Sequence, residues 1–315
     1  MIENMIKDSI NRMQLRDSSL KKYRDLLVES ACLIYRTHPI YGENLIRNSK
    51  DKILGFVDES DFDIDELEEA MDDNNFYLPR IGILLARDFE LFPDDVKKIL
   101  ITHECAHMAS YHEEHWDIAV GLETLVNDEI LGIVIAEGVT DYISRTSLEY
   151  SVDSYFASNE DEIYKAYYRD TMLFADLFKH GINDLLDANA DGGYNKLRNK
   201  VSYVKDFLSL VKGMDATYNW QYLDANYKPD NQITIVIRTI NEFYYFMKLL
   251  IENKTITSQE ELEKRINSFR ENMLLAILDV SLNVKRILLD KLKYREEALY
   301  VLMQDNRIVL TKFRF

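Results

Sequence analysis

The stretch His103-Glu104-Cys105-Ala106-His107 sets two imidazoles four residues apart, with a carboxylate directly after the first. On a helix, residues four apart lie one turn apart on the same face. The two histidines can therefore offer one ring nitrogen each to a single metal ion, with Glu104 beside it. Thirty residues after His107 comes Glu137, the first residue of Glu137-Gly138-Val139-Thr140-Asp141. A catalytic zinc takes three protein ligands and keeps one position open for water, and two histidines with a carboxylate are an established set. Glu137 is the candidate third ligand. Zinc lowers the pKa of the water it holds to roughly 7 and polarises a carbonyl oxygen. A carboxylate next to a ligand histidine points at that water rather than at the metal, so Glu104 is placed to take its remaining proton. Asp141 lies one turn beyond Glu137 and can reach the second ring nitrogen of a ligand histidine, fixing its tautomer and making it a better donor. The chemistry expected is hydrolysis at a carbonyl with one Zn2+ per chain.

These side chains need two helices to hold them. Pro93 to Thr102 supplies carboxylates suited to a helix N-terminus, then apolar residues at 96, 99, 100 and 106 suited to a buried stripe, so the first motif falls on a helix. Ile133 to Arg145 forms the helix carrying Glu137. Between them, Val120 to Leu131, bounded by Gly121 and Gly132, reads as strand or loop. The apolar run Arg80 to Arg87, between Pro79 and Pro93, reads as a strand. Ser18 to Arg36 is expected as a helix capped by Asp17 or Ser18, Ile53 to Val57 as a short strand and Asp63 to Met71 as a short helix. The acidic run Asp58 to Asp65 is only superficially a calcium loop, since Glu66 stands where glycine is needed and Asp72 where the bidentate glutamate is needed. From Asn159 the pattern is helical: Glu160 to Lys179, Ile182 to Ala188, a helix after Gly193, Thr234 to Glu252 and Ser258 to Leu292, with a short strand at Arg307 to Phe315. The fold class expected is α+β, mostly α-helical, with a small sheet beside the motif helix.

HECAH followed by EGVTD resembles the gluzincin metallopeptidases, the class of thermolysin and neprilysin, and Ala136 to Tyr142 is similar to the NEGxTE segments of smaller bacterial zincins. The specific resemblance spans about residues 80 to 147, with a looser helical similarity to about 200. It implies His103, His107 and Glu137 as zinc ligands, Glu104 as general base and Asp141 as the partner of His103. It also implies peptide-bond hydrolysis on a two-lobed zincin-like fold, with residues 1–115 as the α+β lobe and 116–315 as a mostly helical lobe carrying the third ligand. In zincins the strand before the active-site helix is an edge that pairs with extended substrate. Gly82, Ile83, Leu84, Leu85 and Ala86 would then line the cleft; the alternative is an ordinary core strand. Two departures limit the carry-over. The interval between motifs is longer than in thermolysin, so substrate preference does not transfer. The metzincin pattern is absent, because Ser110 replaces its glycine and Glu113 its third histidine.

Peptide hydrolysis builds negative charge on the carbonyl oxygen, and a donor is usually added to hold it. Tyr155, Tyr164, Tyr167, Tyr168, Arg169 and His180 all follow the second motif, and the sequence does not choose among them; with twenty tyrosines in the chain, helix packing is the commoner role. His112 and His115, just past the motif helix, suit a charge at a helix C-terminus or a substrate contact better than a second metal. Cys105 should face the core as a small apolar filler.

Composition bounds the rest. A chain of 315 residues that is 47% hydrophobic can bury a large core. The start, Met1 to Asp8, lacks the basic-then-apolar pattern of a signal peptide, and no run approaches membrane-spanning length. Cys32 and Cys105 are too few for a disulfide framework and are expected as reduced thiols, which points to the cytoplasm. A net charge of -17 leaves no basic stripe for nucleic acid. Glu113, Glu114, Asp117, Glu123, Asp128 and Glu129 read as a solvated rim that can also steer a basic peptide. The partner expected is a peptide or protein substrate. Two other roles fit the same residues: a zincin-fold regulatory or peptide-binding protein with little turnover, and a zinc hydrolase of a non-peptide amide. The bias toward isoleucine, lysine, asparagine and tyrosine accords with an AT-rich bacterial genome.

Overall fold

Ile2, Ile6 and Ile10 recur every fourth residue, and the first helix, α1 (Ile2–Asn11), buries Ile6 and Ile10. A computed structural model of the chain describes residues 1–57, 75–114, 117–126, 129–159, 162–200, 207–217, 229–278 and 280–312. The acidic run Asp58 to Asp65, the helix expected at Asp63 to Met71, His115 and Asp128 lie outside the described residues. After a turn at Ser18–Leu20, opened by the Asp17 carboxylate accepting the Ser19 N–H, comes α2 (Lys21–Thr37). Next are α3 (Gly42–Ser49) and, after the sheet strands, the motif helix α4 (Asp94–Ser110).

Four strands form one mixed sheet. They are β1 (Gln14–Leu15), β2 (Ile53–Phe56), β3 (Phe76–Leu78) and β4 (Gly82–Leu85), in the order β1-β2-β4-β3. β1 and β4 run parallel to β2, and β3 runs antiparallel to β4 with Tyr77 opposite Ile83. The sheet corrects one expectation. Gly82 to Leu85 is not an edge: it has a neighbour on each side, and Ile83, Leu84, Leu85 and Ala86 are all buried. A run apolar at every position is what a strand covered on both faces requires. Among the described residues the edge beside β4 is β3.

β4 begins at a constrained point. Gly82 has φ +140°, and a Cβ there would stand 2.1 Å from the Ile53 carbonyl oxygen. Gly82→Ala is therefore expected to force β2 and β4 apart and to cost on the order of 2–5 kcal/mol. Urea denaturation checks this, and an unchanged midpoint would contradict it.

A hairpin of β5 (Tyr111–Glu114) and β6 (Asp117–Val120) follows the motif helix, then the pair β7 (Thr124–Val126) and β8 (Glu129–Leu131). The remaining helices are α5 (Ile133–Ser147), α6 (Val152–Asn159), α7 (Glu162–Ala175), α8 (Ile182–Ala190), α9 (Gly193–Lys200), α10 (Phe207–Thr217), α11 (Pro229–Glu252), α12 (Gln259–Ala276) and α13 (Leu282–Lys312). The helix expected over Ser258 to Leu292 is thus two, parted at 277–281. The strand expected from Arg307 is instead helix as far as Lys312. The chain is a mostly helical α+β protein with a small sheet. None of its described helices is long and apolar enough to cross a membrane.

The chain divides into two compact units. The first comprises Met1–Ile130, Ala136–Lys165 and Leu186–Tyr194; the second comprises Leu131–Ile135, Ala166–Leu185 and Asn195–Phe315. The segment bearing Glu137 therefore belongs with the motif helix, because its side chains pack with those of that helix. In the first unit, α4 meets α2 and α3 as well as β3 and β4. Contact with helices and sheet explains why Val96, Ile99, Ile101, Cys105, Ala106, Met108 and Ala109 are all buried although they do not lie on one stripe. In the second unit, α10 and α13 pack on α11, α12 packs on α13, and Phe243 stacks on Phe269 at 3.9 Å.

Candidate metal centre

Both ends of the motif helix are fixed by its own sequence and its neighbours. Pro93 precedes its first residue and accepts the Lys97 N–H at 2.9 Å, while Asp94 and Asp95 set negative charge at the positive end of the helix dipole. At the other end, carbonyls left without helical partners take side-chain amides from α3. Asn48 Nδ2 donates to Met108 O and Tyr111 O, both at 2.7 Å, and Asn44 Nδ2 donates to Ala109 O at 2.9 Å. In mid-helix, buried Ser30 of α2 bonds Thr102 at 2.8 Å. The turn from His103 to His107 is therefore held from above and below.

The helix bearing Glu137 is capped at its start by a residue distant in sequence. Asp215 Oδ2 accepts the Gly132 N–H at 2.6 Å, and its Oδ1 accepts the Val134 N–H at 3.2 Å. From there Glu137 and Asp141, four residues apart, fall on one face. The His103 Nε2 and His107 Nε2 atoms are 3.1 Å apart, His103 Nε2 is 3.2 Å from Glu137 Oε2, and His107 Nε2 is 3.3 Å from Glu137 Oε1. Among the described residues these three side chains form a group that could hold a metal ion.

The spacing of the donor atoms fits a metal ion. Ligand bonds of 2.0–2.1 Å in a tetrahedral site imply donor atoms about 3.3–3.4 Å apart, close to the three separations found here. The protonation pattern agrees. His103 Nδ1 lies 3.0 Å from Asp141 Oδ1, a contact in which Nδ1 is the donor and Nε2 is left facing inward for a metal. His107 Nδ1 stands 3.5 Å from Thr140 Oγ1, at the outer limit of a hydrogen bond. Glu137 Oε2 is buried and lacks a hydrogen-bond donor even though an imidazole nitrogen is its neighbour. Three ligand atoms thus converge on a point that a cation would satisfy.

Electrostatics point the same way. Burial opposes charge on His103, but the Asp141 and Glu137 carboxylates overcome it and hold the imidazole pKa well above its usual range. Burial likewise opposes charge on His107, and Glu137 overcomes it, so that pKa is also raised. Glu137 is pulled below the carboxylate range, the two histidines outweighing the cost of its burial. The pocket therefore attracts positive charge, which a metal ion would supply in place of protons.

Glu104, the next residue after His103, is buried; burial raises its pKa, and the backbone N–H of Tyr77 on β3 is one of the groups that hold its charged form. Sequence reasoning did not single out that edge-strand contact or Thr140. Thr140 follows Glu137 by three residues, a spacing that signals the same helix face. Of the six residues considered as transition-state donors, Tyr155 and Tyr164 share the first unit with the metal group. The Tyr164 ring meets His103 edge-on at 5.6 Å, and the Tyr155 hydroxyl donates to Asp141 Oδ1 at 3.0 Å. Tyr167, Tyr168 and Arg169 are buried in the second unit, which also holds the exposed His180, whose ring and backbone N–H engage Asp184. His112 is buried on β5, its Nδ1 beside the Ser110 carbonyl at 3.1 Å.

An outer carboxylate that bonds a ligand histidine is commonly worth 10–100-fold in metal affinity. Asp141→Asn is accordingly expected to weaken metal binding by roughly that factor, read by competition with a chelator. Affinity equal to that of the unaltered protein would contradict the role. No protein-family model, no curated protein and no solved structure matches this chain.

Proposed function

We propose that the chain is a zinc-dependent metallopeptidase of the gluzincin type, with a zincin-like arrangement of its sheet and motif helix. The observation that carries this reading is the convergence of the His103, His107 and Glu137 donor atoms within 3.1–3.3 Å of one another, with the Glu104 carboxylate one residue along the same helix. Bound zinc supplies a Lewis acid that polarises the scissile carbonyl and acidifies water.

The chain's own groups do the rest. The Glu104 carboxylate, held by the Tyr77 N–H, takes a proton from the attacking water and passes it to the leaving nitrogen. Asp141 keeps the proton of His103 on Nδ1, so that Nε2 remains a lone-pair donor. Tyr164, whose ring touches a ligand histidine, is the tyrosine placed to steady the carbonyl oxygen as it gains charge. An extended peptide would add to the sheet along β3, the outer strand beside Glu104 among the described residues, and main-chain pairing there makes few demands on side chains. Cys32 and Cys105, both buried and unpaired, accord with a reducing compartment.

The test is incubation of the zinc-loaded protein with a mixed peptide library, read by mass spectrometry, with and without a chelator. Cleavage that the chelator abolishes and zinc restores supports the proposal. Cleavage indifferent to the chelator, or none by protein shown to carry zinc, counts against it.

A further inference from the structure

Tyr155 has no solvent exposure, and its ring is held by an edge contact with Phe156 at 5.0 Å. A buried tyrosine hydroxyl needs an acceptor. The acceptor here is Asp141 Oδ1, at 3.0 Å, the same oxygen that His103 Nδ1 reaches at 3.0 Å. The other oxygen, Oδ2, is buried and has no hydrogen-bond partner among the described residues.

This asymmetry has a mechanical consequence. The terminal torsion of an aspartate is broad and nearly two-fold, so one hydrogen bond leaves the carboxylate free to twist or exchange its oxygens. Two donors converging on a single oxygen from different helices remove that freedom. They fix the carboxylate plane, the carboxylate fixes the His103 ring, and the ring aims Nε2 at His107 and Glu137.

We propose that Tyr155 is a positioning residue of the metal centre, acting through Asp141 rather than on substrate. The inference rests on the reading of His103, His107 and Glu137 as metal ligands. It gives Tyr155 a task other than steadying a transition state, because its hydroxyl is already committed.

Tyr155→Phe tests it, since phenylalanine keeps the buried ring and removes only the hydroxyl. Zinc is titrated into stripped protein against a competing chelator for four proteins: unaltered, Tyr155→Phe, Asp141→Asn and the double variant, each first shown by circular dichroism to be folded. The expected result is a loss of about tenfold for Tyr155→Phe, the low end of what an outer partner is worth. The double variant should bind no more weakly than Asp141→Asn alone, as residues acting in series do not add. Cobalt bound in place of zinc should show an altered visible spectrum in Tyr155→Phe. Equal zinc affinity in Tyr155→Phe and unaltered protein overturns the inference, and so does a tenfold loss repeated in the Asp141→Asn background, which would mean a general packing role. Failure of the unaltered protein to bind zinc at all would instead remove the metal site itself, and the inference with it.

Discussion

Glu104→Gln is expected to leave zinc in place and to lower the rate of peptide hydrolysis by about 10²–10⁴, the usual worth of a positioned general base. Glutamine matches the size of glutamate and can still accept the Tyr77 N–H through its amide oxygen, so the fold and the donor trio should be undisturbed. What it cannot do is take a proton. The Glu104 carboxylate is not one of the three groups whose atoms converge within metal-binding distance, which is why its loss should separate chemistry from metal retention. Burial raises its pKa, a direction that favours a group asked to accept a proton and then return it. The comparison is one of single-turnover rates on any peptide the unaltered protein cleaves. Full activity in the glutamine variant would exclude the mechanism, whereas loss of both zinc and activity would make Glu104 a structural member of the site.

Glu137→Ala should have the larger effect on binding. Removing it leaves two histidine donors, and because an outer partner alone is worth 10–100-fold, a direct ligand should be worth more than about 100-fold. A second consequence is visible in stability. A ligand present at a hundred times its dissociation constant stabilises the folded state by about 2.7 kcal/mol, so zinc should raise the melting temperature of the unaltered protein. In Glu137→Ala the same zinc concentration should produce almost no shift. Glu137→Gln separates charge from volume, since it fills the same space without the negative charge that holds both imidazole pKa values up. An undiminished thermal response in both variants would show that zinc binds elsewhere.

The site was legible in the sequence because helical spacing relates its parts in pairs. His103 and His107 are related by one turn, and so are Glu137 and Asp141; the contact of His103 with Asp141 needs only that these two helices face each other. The sheet was harder to read. Its strands are two to four residues long, and their order, with β4 between β2 and β3, comes from pairing between segments distant in sequence rather than from any local signal. The misplaced edge is instructive, since the unbroken apolar run at Ile83-Leu84-Leu85 already indicated burial on both faces. Tyr77 on β3, the outer strand among the described residues, is one residue in a three-residue strand, too short for an alternating pattern to register.

Elsewhere the missing signal was punctuation. The break between α12 and α13 falls at 277–281, where there is neither glycine nor proline, so periodicity ran through it. Ile308 to Thr311 has the branched side chains of a strand but continues α13, an instance of weak intrinsic preference yielding to the helix it extends. The boundaries of the two units carry no such punctuation either. α5 starts within the second unit, where Asp215 caps it, and passes into the first at Ala136, so no linker marks the boundary.

The central claim is that His103, His107 and Glu137 together hold one zinc ion. Elemental analysis of protein purified without added metal tests it most directly, on the unaltered chain, Glu104→Gln and Glu137→Ala in parallel. The account predicts about one zinc per chain in the first two and little in the third. Full zinc in Glu137→Ala, or none in the unaltered protein even after repletion, would contradict it.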